Sequence, residues 1–146
     1  MLIDILRSIF QRDLQRLYNE IELYRDDETL WKTKQGITNP GGNLCLHLIG
    51  NLQTYIGHAI GGFAYTRNRE LEFSQQGLSK KVLLEMISDC AEKVLHSLEK
   101  GIDMEEEFPL LTGDEKKSIG YTLVHLSAHL TYHLGQINYH RRLLEH

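Results

Sequence analysis

Apolar residues in this chain recur every three or four positions over long stretches, and proline occurs only at Pro40 and Pro109. That period lines one face of an α-helix, and a helix interior tolerates proline worst of all residues. Both prolines fall in breaks between periodic segments, so the pattern predicts an all-α protein. The first helix covers about residues 2–26, with Ile5, Ile9, Leu14, Leu17, Ile21 and Tyr24 on its apolar stripe. Arg12, Asp13, Gln15, Arg16, Asn19 and Glu20 fill its other faces, and the polar run Arg25-Asp26-Asp27-Glu28 blurs its end. The loop WKTKQGITNPGGN is rich in turn formers. A second helix then runs from about residue 42 to 61, with Leu44, His47, Leu48, Asn51, Tyr55, Ile56 and Ala59 on one side.

Residues 63–78, FAYTRNRELEFSQQGL, read as a long surface connection. Ser79 is suited to cap the third helix, which carries Val82, Leu83, Met86, Ile87, Cys90, Val94 and Leu98 to a stop at Lys100-Gly101. A second linker holds the acids Glu105, Glu106 and Glu107, read as a solvated run, and the turn Thr112-Gly113-Asp114. The fourth helix begins near Ser118 and continues to the end of the sequence. Four helices of this length predict a four-helix bundle, and the connection between the second and third is compatible with a crossover. With 146 residues, the chain is expected to form one domain over 1–146.

Composition narrows the functional classes. Charged residues make up 25% and hydrophobic ones 41%, the balance of a soluble globular protein, and the formal net charge is -4. An acidic chain lacks the basic face that nucleic-acid binding needs. No apolar run approaches the roughly 18 residues that a bilayer span needs, and MLIDILRSIFQRD is too charged for a signal peptide. Cys45 and Cys90 have no CxxC spacing and imply a reducing, cytoplasmic setting.

The chemistry concentrates in HLSAHLTYHLGQINYH, which holds His125, His129, His133 and His140. Steps of four and seven residues keep all of them on one face of a helix. Val124, Leu126, Ala128, Leu130, Leu134, Ile137 and Leu144 flank that face, so it points inward or toward a cleft. Histidines four apart rise about 6 Å along the axis and can lean onto one metal ion. Spacing leaves His125/His129 and His129/His133 equally suitable. A third ligand must come from another helix, and His47 is the best placed. Three imidazoles with an open position form a catalytic type of site, suited to zinc or nickel, with manganese or iron as alternatives. His58, His96, His140 and His146 are read as structural.

The combination of GNLCLHLIGNLQTYI at 42–56 with HLSAHLTYHLGQI at 125–137 resembles the DinB-like superfamily of four-helix metal proteins. Arg67, Arg69, Glu72 and Phe73 match the arginine-and-EF crossover of an uncharacterised branch. The resemblance spans essentially the whole chain. It implies a metal held by His47, His129 and His133, with His125 a neighbour rather than a ligand. It also implies a homodimer and a small-molecule substrate. Relatives in the superfamily include transferases that use a low-molecular-weight thiol such as bacillithiol or glutathione.

Around those ligands, Asn51 and Gln136 are candidates to orient a histidine or a substrate, and Tyr55, Tyr121 and Tyr132 to line a pocket. Cys45 lies about 200° around the helix from His47 and is expected to face away. No carboxylate is evident on the inward strip, which favours thiol transfer over hydrolysis by a glutamate base. The expected function is a metal-dependent thiol S-transferase. The alternatives are a metal-dependent hydrolase and a non-catalytic stress or binding protein stabilised by its metal.

Overall fold

The computed structural model describes residues 1–99, 101–110 and 115–145. Lys100, the turn Thr112-Gly113-Asp114 and His146 lie outside the described residues. The architecture is all-α. Among the described residues five α-helices follow one another: α1 Leu2–Leu23, α2 Gly41–Leu52, α3 Arg69–Ser74, α4 Lys80–Ser97 and α5 Ile119–Leu144. A 3-10 turn at Asp27–Trp31 precedes α2, and a π-helical segment at Gln53–His58 continues it. α1 packs along α4 and α5, α2 packs against α5, α4 and α3, and no described helix is long and apolar enough to cross a membrane.

The elements form where local chemistry directs them. Ser79 and Ser118 each accept a hydrogen bond from the third residue beyond, Val82 and Tyr121, which starts α4 and α5. α2 is buried along its whole length, consistent with its run of apolar and glycine residues. At Gly41 a Cβ would collide with the Tyr24 hydroxyl, and at Gly42 it would come within 2.8 Å of the Trp31 ring, so both glycines permit close packing.

Several expectations change. On α1 the buried stripe is Leu6, Phe10, Leu14, Leu17 and Ile21, while Ile5 is 59% exposed. The blurred end of the first helix becomes the 3-10 turn, which buries Thr29, Leu30 and Trp31. The connection over residues 63–78 is not wholly extended. Asn68 caps α3 by accepting from the Leu71 amide, and Asn43 of α2 donates through Nδ2 to the carbonyls of Glu72 and Gln75. The Trp31 indole donates to Leu78 O, fixing the far end of the same connection.

Asp13, assigned to a polar face by periodicity, is fully buried. It accepts from Arg12 Nε at 2.9 Å, from Arg16 at 3.3 Å and from Thr131 Oγ1 of α5 at 2.7 Å. Burial raises its pKa, but the Arg12 and Thr131 hydrogen bonds and the two arginine charges outweigh that and lower it. A paired carboxylate of this kind fixes which face of α5 meets α1. Asn138 Nδ2 and Arg141 Nε donate to Glu20 at 2.7 and 3.1 Å and hold the next turns.

His140 is a packing residue. Its Nδ1 accepts from the Tyr24 hydroxyl at 2.7 Å and its Nε2 donates to Lys32 O at 2.8 Å. Tyr24→Phe keeps the ring and leaves a buried nitrogen without its donor. The expected loss is about 1–3 kcal/mol of unfolding free energy, read as a lower urea midpoint at unchanged slope. An unshifted midpoint would contradict the assignment.

Candidate metal centre

The rotation of α5 set by Asp13 and Glu20 turns Leu126, Leu130, Leu134 and Ile137 into the core. His129 and His133 then fall at the border between core and solvent, and His125 is exposed. His47 comes from the middle of buried α2 and is 6% exposed. His47 Nε2 lies 3.2 Å from His129 Nε2, which lies 3.1 Å from His133 Nε2. One ring nitrogen from each of the three histidines falls within 4.8 Å of the others, so His47, His129 and His133 can hold a metal ion.

The donor set fits such an ion. Nitrogens about 2.0–2.1 Å from a tetrahedral ion stand about 3.3–3.4 Å apart, close to the two spacings here. The far nitrogens of two rings are engaged in the sense a ligand needs. His133 Nδ1 donates to Gln136 Oε1 at 2.7 Å, and His47 Nδ1 donates to Glu72 Oε1 at 3.0 Å. Both bonds leave the Nε2 lone pair free, and a carboxylate behind a ligating histidine raises its basicity. His129 Nδ1 is buried without a partner.

Burial also favours the neutral form of His129 and His47. His129 is pushed down to about 4 by burial, reinforced by the charges of His133, His47, His125 and Arg67. Burial lowers His47 as well, although Glu72 opposes the shift.

Glu72 corrects the expectation that no carboxylate lies inward. It is 6% exposed and accepts from Arg67 Nε at 2.9 Å and Arg67 Nη2 at 3.0 Å as well as from His47. Its approach depends on Gly50, where a Cβ would overlap the Glu72 carboxylate. The signal was present as a glycine one turn after His47 and an arginine five residues before the glutamate. Periodicity passed over Glu72 because it arrives on the crossover rather than on a long helix.

The other singled-out residues separate. A cavity of about 500 Å³ borders the histidines and is lined by Asn51, Tyr55, Arg67, Arg69, Tyr121 and His125, among others. Asn51 does not orient His47, whose Nδ1 faces Glu72. Tyr55 lies in the π-helical segment, a form often found beside functional sites. Tyr132 does not line the cavity: it stands 59% exposed on the outer face of α5, its ring 5.2 Å from that of His133. Cys45 is fully buried in the core, and His58 engages Phe63 O at 2.8 Å.

The fold and site define an all-α protein with a three-histidine cluster at the mouth of a polar cavity. The match to the family of proteins of unknown function DUF1572 extends over residues 3–146, and the chain belongs to that family. No curated protein and no solved structure matches it.

Two outcomes follow for the metal-free protein. The unfolded chain protonates its histidines near their ordinary value of 6.5, whereas folded His47, His129 and His140 take up protons only below it. The unfolded state therefore binds more protons as pH falls from about 6.5 toward 4, and stability decreases over that window. Melting temperatures flat from pH 7 to 5 would refute this. Gly50→Ala should displace Glu72 from His47 and lower metal affinity about 10–100-fold, the usual effect of losing a ligand's hydrogen-bond partner, as measured by competition with a chromophoric chelator.

Proposed function

We propose that the protein is a single-domain four-helix bundle of the DinB-like type that binds one divalent ion through His47, His129 and His133. In this reading α1, α2, α4 and α5 are the bundle helices, and the segment bearing α3 is the crossover. The observation that carries the metal assignment is the convergence of the Nε2 atoms of three histidines beside an open cavity. Zinc or nickel suits a set of three imidazoles, with manganese or iron as alternatives. A divalent ion held there supplies Lewis acidity, which lowers the pKa of a coordinated thiol or water.

The chemistry that best suits the remaining groups is transfer of a low-molecular-weight thiol to an electrophilic small molecule. Glu72 is the carboxylate nearest the histidines among the described interactions, and both its oxygens are committed to Arg67 and His47. It orients His47 and is not free to take a proton from substrate. A thiol that ionises readily needs less help from a base than water does. The hydrolase alternative rests on His125, which lines the cavity four residues before His129 and can accept a proton there. A non-catalytic role, with the metal only bracing α2 against α5, is the third reading.

Exposed Tyr132, Tyr139 and Leu143 on the outer face of α5 support a homodimer. The buried free thiols of Cys45 and Cys90 support a cytoplasmic location.

Elemental analysis of protein prepared without a histidine tag should give one divalent ion per chain. His47→Ala, His129→Ala and His133→Ala should each abolish stoichiometric binding, and His125→Ala should retain it. Thiol consumption with electrophilic acceptors, set beside ester and amide hydrolysis, separates the two enzymatic readings. Metal-dependent melting without turnover in either assay would favour the bracing role. Full metal occupancy in His129→Ala would remove the proposed site.

A further inference from the structure

The cavity beside the histidines has a charge opposite to that of the chain. Acidic residues outnumber basic ones 20 to 16 in the sequence, yet Arg67, Arg69 and Lys117 all line the cavity, and none of its described lining residues is acidic. The three cations are not equivalent. Arg67 is neutralised by the Glu72 carboxylate, to which it donates two hydrogen bonds. Lys117 lies 4.8 Å over the Tyr121 ring and pairs at 2.8 Å with Glu115, a surface residue whose side chain is 74% exposed. Arg69, at the start of α3, meets no acidic partner among the described residues.

An aromatic wall adjoins Lys117, where Tyr121 stacks on His125 with ring planes 6° apart. Asn51, 8% exposed, lines the same cavity. Cations gathered in a cleft between low-dielectric walls raise the local concentration of anions far more than the same charges spread over a convex surface.

We infer that this cavity binds a small oxyanionic substrate. Its carboxylate or phosphate oxygens face Arg69 and Lys117. The volume of about 500 Å³ suits a ligand of metabolite size. The inference builds on the reading of the histidines as the reacting centre, since His47 and His129 line the same cavity as Arg69 and Lys117. Neutral thiols and neutral electrophiles fit the cavity less well than acids do.

The test titrates succinate, inorganic phosphate and neutral succinamide into the full chain at low ionic strength. Ring-proton chemical shifts of His125 and Tyr121 are followed in metal-free and in zinc-loaded protein. Succinate or phosphate should produce saturable shifts in the metal-free form already, and succinamide should not. The tighter of the two anions identifies which oxyanion the site takes. Arg69→Gln, a surface change, should weaken binding about fivefold or more by removing a charge-assisted hydrogen bond. Lys117→Gln should weaken it too, and Lys34→Gln, away from the cavity, should not. Equal responses to succinamide and succinate would overturn the inference, as would unchanged affinity in both Arg69→Gln and Lys117→Gln. Anion binding that persists in protein unable to take up zinc would uphold the inference while the metal reading failed. Zinc uptake without anion binding would do the reverse.

Discussion

The buried carboxylate of Glu72 is the interaction on which the site depends. A charge held at 6% exposure is tolerable only when it is paired and hydrogen-bonded, and Arg67 and His47 together meet that demand. The pairing couples the segment bearing α3 to α2. Asn43 holds α3 in place by its main chain, Gly50 leaves room for the carboxylate, and the carboxylate in turn directs His47 Nε2 outward. The stretch GNLCLHLIGN thus sets an anchor, a candidate metal-binding histidine and a vacancy at successive turns of one helix.

α5 faces a different problem. It must bury an apolar stripe and also bring His129 and His133 to the border of the core beside His47. Its leucines account for packing, but a stripe of leucines alone permits some rotation about the helix axis. Thr131 on buried Asp13 and Asn138 on Glu20 remove that freedom because each is a directed hydrogen bond to α1. Rotated by one residue, His129 would turn away from His47. Precision at the site is therefore supplied by polar contacts on the far side of the helix.

The residues around the cavity differ in support. His47 and His129 stand on long helices beside a buried ion pair. Arg69 lies on the exposed surface of a six-residue helix and Lys117 in the segment leading into α5. Under the proposed function, that contrast would let the histidines keep their chemistry while the surrounding side chains select the ligand.

Periodicity alone determined the helical class, the approximate span of each long helix and the strip of α5 that carries the histidines, because a helix's faces follow directly from residue spacing. It also placed Ser79 and Ser118 at helix starts. It could not choose between two equally spaced histidine pairs, and it put Ile5 on the buried stripe of α1 and Asp13 off it. Those outcomes turn on which neighbour a face meets, which no single helix encodes. Tertiary structure alone brought Glu72 onto His47, turned Tyr132 outward and gathered Arg69 and Lys117 around one cavity. Each depends on contacts between residues far apart in the chain, where burial and charge pairing, rather than local spacing, decide the energy.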